Sequence, residues 1–394
     1  MPRPLEGVRV LDLSRLVAGG MLGMLLADFG ADVVKVEQPG VGDPLRHWTA
    51  GGQPFWWKVY GRNKRSITLN LQSERGKELF LKLLPDFDVL VDAFIPGKME
   101  SWGLGPEKLH HVHPGLVIVR ISGWGQTGPA SQKPGFGTLI EAASGLAAMT
   151  GDQEGPPILP PFPAGDMFTA FYACSSVMFA LYHRDVHHGP GQVIDASLFE
   201  SLFSVLGPLA AEYAGVGRVR TRIGSQSVNS APRGMFPTKD EGWIAVSAST
   251  PVMAERFLKA YGLGALLEDE KFATNEARVR HAVELNQLVA EAIRCRTTQE
   301  NVDLIEREKL TATPVATIAD IEQNPHWQER QLLVDVQDGA RSVRMHNVTP
   351  KLSATPGEIR WSGPPLGKDN QAVYEEELGL SPVEIEELRE EGVI

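Results

Sequence analysis

The chain has 394 residues, 42% hydrophobic and 22% charged, with a formal charge of −11. This is the composition of a globular protein large enough for two cores, and its acidic balance excludes wrapping a polyanion such as nucleic acid, which needs clustered Lys and Arg. Cys174 and Cys295 share no metal-ligand spacing, and with no charged-then-apolar leader before "LEGVRVLDLS" and an apolar stretch at 170–181 too short for a bilayer, a cytoplasmic protein away from the membrane is expected.

From the N-terminus, "VRVLDL" and "ADVVKVEQ" are apolar runs with β-branched residues, and "GGMLGMLLADFG" between them has helical spacing ending in Gly30. Next come "RSITLNL" (strand), "ERGKELFLKLLPD" (helix), "FDVLVDAF" (strand) and "GLVIVRIS" (strand). Strands alternating with helices predict an α/β fold: a mostly parallel sheet covered on both faces, its ligands at the carboxyl ends of the strands. Helices are expected around "GTLIEAASGLAAMT" and over 166–184, and "GQVIDASLFESLFSVL" reads as a strand running into a helix. After Gly215 the Gly- and Ser-rich "GRVRTRIGSQSVNSAPRG" has linker composition. Beyond it, "GWIAVSAST", "PVMAERFLKAYGL", "RHAVELNQLVAEAIR" and "TTQENVDLIEREKL" predict a smaller α+β unit. "VDVQDGARSVRM" looks like a strand–turn–strand, and "SPVEIEELREE" like an acidic helix with Ser381 as N-cap and Glu384 completing a capping box.

Several chemistries are suggested and then weakened by the residue types. "LVAGGMLG" has the look of a dinucleotide loop, with Glu37 as the ribose-binding acid, but Gly19, Gly20 and Gly23 do not make G-x-G-x-x-G and helix–strand packing explains them as well. His183 and His187 have helical metal-pair spacing, yet no H-E-x-x-H acid accompanies them, so solvated helix-end histidines and no metal site are expected. There is no G-x-S-x-G elbow, and Cys174 reads as core. Asp166, in "PPFPAGDMFTAF", starts a long apolar helix. It is either an N-cap, which would put Thr169 at N3 with no capping box, or a carboxylate kept ionised for chemistry by the helix start. Capping is the more economical reading of the residue types, and both stay open.

The ordered stretches "PLEGVRVLDLSR", "LADFGADVVKVEQPGVGDPLR", "GRNKRSITLNL", "DAFIPG", "ISGWGQTGP", "PGFGTLIEAASGL", "PFPAGDMFTAFYA", "GPGQVIDASLFES", "APRGMF" and the C-terminal "PPLG…LGLSPVEIEELREEGVI" span nearly the whole chain. They resemble the family III CoA-transferases, which include formyl-CoA:oxalate and carnitine CoA-transferases and the related α-methylacyl-CoA racemases. The resemblance implies that Asp166 is the nucleophile. A carboxylate attacking a thioester gives a mixed anhydride, which keeps the acyl group activated where a serine ester would not. CoA then attacks the enzyme side of the anhydride to give an aspartyl-CoA thioester, and an acceptor carboxylate takes over the acyl-aspartyl position before CoA returns to it. The racemases of this group use a histidine in a G-H-D stretch; here "PGFGTL" puts Phe136 and Gly137 at those places, so transfer is expected, with epimerisation of an acyl-CoA as the alternative. Glu141 either touches substrate, positions Asp166 or packs within its helix.

By position, the family's CoA contacts fall on Val17, Ala18, Gln38, Arg46, Leu69, Asn70, Gln72, Ala93, Phe94, Lys98, Phe136 and Gly137. Gln38, Ile95 and Ser101 replace basic residues of relatives, leaving Arg46, Arg62, Lys64, Arg65 and Lys98 as candidates for the CoA phosphates. The resemblance further implies a Rossmann-like large domain, 1–215 completed by 330–394, binding CoA, and a smaller α+β domain with linkers over 216–329. It also implies a homodimer of interlocked rings. CoA and acyl-CoA would be substrates, with no permanently bound cofactor. "GSQSVNSAPRG" is expected to form part of a lid, and Arg220, Arg222 and Arg233 to pair a second carboxylate, hinting at dicarboxylates such as succinate, itaconate or mesaconate.

Overall fold

The computed structural model describes residues 2–394. By internal contact the chain divides into two compact units, one comprising 1–146, 160–208 and 329–394, the other 147–159 and 209–328.

The first unit is built on six parallel strands: β1 (Arg9–Asp12), β2 (Asp32–Glu37), β3 (Lys64–Thr68), β4 (Val89–Asp92), β5 (Val117–Ser122) and β6 (Val193–Ser197), in the order β3-β2-β1-β4-β5-β6. That order reverses direction at β1 and β4, where such sheets open a crevice at their carboxyl ends. The inner strands read as near-continuous apolar runs because both faces are covered. The helices up to Ser204 are α1 (Leu16–Asp28), α2 (Phe55–Tyr60), α3 (Glu74–Leu83), α4 (Lys98–Ser101), α5 (Pro106–Val112), α6 (Gly137–Ala143), α7 (Leu146–Met149), α8 (Ala164–His187) and α9 (Leu198–Ser204), of which α7 belongs to the second unit after Leu146. Val10, Val33, Val89 and Val117 pack under α1, α8 and α9, while Leu11, Val34, Leu90 and Ile118 pack against α3 and the C-terminal helix Pro382–Glu390. The last segment also seals the sheet edge. Asp369 and Asn370 bond the backbone of Ser66 and Thr68, and the Tyr374 hydroxyl donates to the Thr68 carbonyl. An unpaired β3 edge is thereby removed.

Terminators behave as their residue types require. Gly30 lies just past the end of α1 at φ +109°, and Ser381 and Glu384 form the reciprocal capping box expected of them. Gly19 and Gly23 of α1 have a packing reason rather than a nucleotide one. A Cβ at 19 would overlap Ser14, and one at 23 would lie 2.8 Å from Lys64 Nζ and 2.9 Å from Asp12 Oδ2. Among the described residues α8, at 24 residues, is long and apolar enough to cross a membrane by length and composition, which corrects the expectation of a short apolar stretch: the helix extends on both sides of 170–181. Its small residues Gly165, Ala170, Ala173 and Ala180 face the core, while Phe171, Tyr172, Met178, Phe179, Tyr182 and Val186 form an exposed apolar stripe.

The second unit packs its own core. Strands β7 (Arg233–Pro237), β8 (Trp243–Ser247) and β9 (Ala312–Pro314) form an antiparallel sheet. Phe236, Ile244 and Val246 meet Phe257, Leu285, Val289 and Ile305 of the helices over it. Strands β10 (Leu333–Asp338) and β11 (Arg341–His346) make the expected hairpin in the first unit.

Candidate active site

Asp166 is not a helix cap. Helix α8 begins two residues earlier, with Pro163 at its N-cap position, so Asp166 sits inside the first turn. Three elements define its surroundings. From α6, Gly137 lies so close that a Cβ there would run into the Asp166 carboxylate and force it to shift. Also from α6, Glu141, 3% exposed, accepts the Gly165 N–H at 3.3 Å. From α1, the Ala18 backbone amide acts on the carboxylate, and Met167 packs against Val17. Burial pushes the Asp166 pKa up to about 6; the Ala18 amide and the helix-start amide favour the charged form, and the Glu141 charge opposes it. The result is a desolvated carboxylate nucleophile that is mostly ionised at neutral pH although its titration has moved toward it. Phe136 is 65% exposed beside it, and carries no acid–base group.

A cleft opens at the carboxyl ends of β1, β2, β3 and β4. Ser14, Arg15, Gln38, Leu69, Asn70, Gln72, Phe94, Lys98 and Trp102 line it. Six residues expected at a CoA site are thus brought together: Gln38, Leu69, Asn70, Gln72, Phe94 and Lys98. Val17, Ala18, Phe136 and Gly137 gather instead around Asp166, while half-buried Ala93 directly precedes Phe94. The chain at 14–18 joins the two places, with Ser14 and Arg15 on the cleft and Ala18 on the nucleophile.

Of the basic candidates, most are consumed internally. Arg62 is buried against Asp28 at 2.6 Å and donates to the His346 carbonyl. Lys64 is buried on Asp12 at 2.9 Å. Arg65 is held by Asp32 and Glu377 at the far end of β3. Arg46 forks onto Glu37 with two contacts of 2.7 Å and lies over the Trp57 ring. Glu37 is filled by that fork, the Asp43 N–H and the Ser66 hydroxyl, and has no lone pair for a ribose. Lys98, exposed over Trp102, and Arg15 have no acidic partner among the described residues and are the cleft's available cations. Arg15 was not singled out in the sequence; its one signal is its place just after the first strand. Nor was Asp43, whose buried carboxylate grips the backbone at the start of α1.

In the second unit Arg220 is neutralised by Glu212, Arg222 donates to the Asp152 carbonyl at 3.3 Å, and Arg233 lines a cavity of about 800 Å³ with Gly224, Ser225, Gln226, Ser247 and Thr313. No group of three or more His, Cys, Asp or Glu is arranged to hold a metal among the described residues.

Residues 5–370 match the family model described as CoA-transferase family III. The chain is 38% identical over 397 residues to succinyl-CoA–D-citramalate CoA-transferase of Chloroflexus aurantiacus, covering 100% of this chain and 98% of that protein. It is 39% identical over 401 residues to the beta subunit of succinyl-CoA–L-malate CoA-transferase of the same organism, covering 99% and 98%. Among solved structures, a CAIB/BAIF family protein from Brucella suis matches with a TM-score of 0.84 at 29% identity, covering 95% of this chain and 100% of that one.

Proposed function

The chain belongs to CoA-transferase family III and moves CoA from an acyl-CoA donor to a carboxylic acid; on that premise we propose that Asp166 carries the acyl group and that donor and acceptor are short dicarboxylates, succinyl-CoA being the donor. The observation that carries the assignment is the Asp166 carboxylate, desolvated to a pKa of about 6 and fitted against a residue with no side chain. Its oxygen attacks the thioester carbonyl and CoA thiolate leaves, forming an acyl-aspartyl anhydride. The thiolate then attacks the aspartyl carbonyl, releasing the donor acid and leaving an aspartyl-CoA thioester. An acceptor carboxylate displaces the thiolate to form a second anhydride, and the thiolate takes its acyl group and regenerates Asp166. Charge and protons balance at every step, so no general acid is required. Acylation also removes the nucleophile's buried charge and its repulsion from Glu141, which favours the covalent states.

CoA would lie in the cleft with Lys98 and Arg15 toward its phosphates, its pantetheine passing 14–18 to reach Asp166. Acceptor class is supported by the two relatives, named for D-citramalate and L-malate. We further propose that a second copy of this chain, interlocked with the first, covers the exposed stripe of α8. Asp166→Asn and Asp166→Ala should be folded and inactive, and borohydride or hydroxylamine after incubation with succinyl-CoA should modify Asp166 alone by peptide mass. Turnover by either variant, or an adduct elsewhere, overturns the assignment.

A further inference from the structure

The turn between β1 and α1 is held by an unusual amount of buried charge. Leu16 opens α1 at φ +65°, a left-handed conformation that a residue with a side chain keeps only when its surroundings enforce it. The enforcing group comes from 27 residues along the chain: Asp43 Oδ1 accepts the Leu16 N–H at 3.2 Å and the Leu45 N–H at 2.9 Å. Asp43 Oδ2 lies 3.2 Å from Lys35 Nζ. Lys35 in turn donates to the Ser14 carbonyl and lies 3.5 Å from Asp12 Oδ1, which accepts the Ser14 N–H at 2.9 Å and the Ser14 hydroxyl. The polar backbone atoms on both sides of Arg15 therefore end on one cluster, whose three charged side chains are at most 1% exposed.

Such a cluster is an inefficient way to make stability, because apolar packing fills the same volume without desolvating three charges. What it does deliver is a fixed direction for the chain. Immediately after Leu16, Val17 enters the apolar cluster on which Met167 of α8 packs, so the start of α1 is set against the start of α8, and the Ala18 amide is among the groups that favour the charged form of Asp166.

We propose that Asp43 is a positioning residue of the transfer reaction: by gripping the Leu16 amide it aims the Ala18 N–H at the nucleophile, where that donor serves the negative charge of the carboxylate and of the tetrahedral states. Lys35 and Asp12 hold Asp43 and the preceding carbonyl in place. The proposal rests on Asp166 being the nucleophile. Of the elements around Asp166, α6 brings Glu141 as the titratable group acting on it, and the start of α1 brings backbone amides.

Asp43→Ala and Asp43→Asn discriminate the role. Asn keeps an Oδ1 acceptor for both amides; Ala removes it. The Ala variant should lose roughly 100-fold in kcat, the order seen when one preorganised backbone-type donor is lost, with KM for succinyl-CoA little changed. The acid limb of its kcat/KM profile should move to higher pH, because the Ala18 amide no longer favours the carboxylate. The Asn variant should recover at least tenfold of that kcat and return the limb to its wild-type place, although it melts below the wild type. If the Ala protein does not fold, Asp43→Ser, whose short hydroxyl cannot reach the Leu16 amide, gives the same displacement of the limb. An unmoved limb and kcat in the Ala or Ser variant, or an Asn variant as impaired as they are, overturns the positioning role, since a structural role lowers melting in all of them and leaves the limb alone. Hydroxylamine capture at Asp166 in the wild type separates the two claims: capture with an unmoved limb sinks the role of Asp43 alone, and no capture sinks the nucleophile and its positioning together.

Discussion

Asp166→Asn should make the protein more stable as it makes it inactive. The carboxyl's pKa rises from 3.8 to about 6 on folding. A tenfold change in acidity corresponds to about 1.36 kcal/mol between protonation states, so the folded, ionised form carries a penalty of about 3 kcal/mol. The sign follows from an acid whose folded pKa is raised. Below pH 3.8 the group is neutral in both states and the penalty is absent. Between 3.8 and 6 the unfolded chain releases its proton first, and stability is lost as pH rises; above 6 the full penalty applies. Asn has no charge to desolvate or to repel Glu141. Residual solvent at this half-buried site and the imperfect match of an amide to the Ala18 N–H reduce the gain to about 1–3 kcal/mol at about pH 7.5. Urea unfolding of both proteins at equal protomer concentration measures it. The variant should lead at about pH 7.5 and lose most of its advantage by about pH 4.5. A variant less stable than wild type at the higher pH, or a difference independent of pH, would show that the carboxylate is comfortable in its site, and the account of its reactivity would fall with it.

Other outcomes are as direct. The acid limb of kcat/KM should lie near pH 6, following Asp166, and a limb near the ordinary carboxylate value would contradict its burial. Gly137→Ala puts a methyl into the carboxylate; displacing a reacting atom by about 1 Å lowers kcat by about 100-fold, while circular dichroism and melting show the fold intact. Lys98→Ala should raise KM for acyl-CoA about fivefold, about 1 kcal/mol for an exposed charge contact, with kcat nearly unchanged and the difference shrinking in high salt. Arg62→Met leaves Asp28 uncompensated in the interior and should destabilise by about 3–5 kcal/mol without changing KM.

The sheet was legible because its strands are buried on both faces, so "VRVLDL", "ADVVKVEQ" and "GLVIVRIS" show as unbroken apolar runs between glycine- and proline-marked turns. Helix ends were legible where the signal is local, as at Ser381 and Glu384. The charges were not. In "GRNKRS" nothing distinguishes Arg62 and Lys64 from solvated residues, because their partners Asp28 and Asp12 lie 34 and 52 positions away and only the folded sheet brings them together. The same distance hid Asp43, whose grip on Leu16 depends on a turn conformation that a leucine does not advertise. The start of α8 was misjudged by two residues because Ala164 and Gly165 after a proline carry no cap. As for Asp166, residue types left both capping and chemistry open, and the choice came from the ordered motifs.

The charge pattern of the first unit supplies an independent criterion for that choice. Its buried acids are matched to cations: Asp12 to Lys35 and Lys64, Asp28 to Arg62, Glu37 to Arg46, Asp43 to Lys35, Asp92 to Arg120. Burial alone would raise the pKa of Asp12, yet its two lysines hold the carboxyl below the usual carboxylate range. Among the described residues Glu141 is the buried acid that no cation accompanies, and it faces Asp166, which has none either. A fold that neutralises charge elsewhere in its interior and leaves two carboxylates adjacent and unpaired is holding free energy at one place. Acyl transfer releases it by neutralising Asp166, and departure of the acyl group restores it. The nucleophile is therefore recognisable as the point where the pairing of interior charge stops.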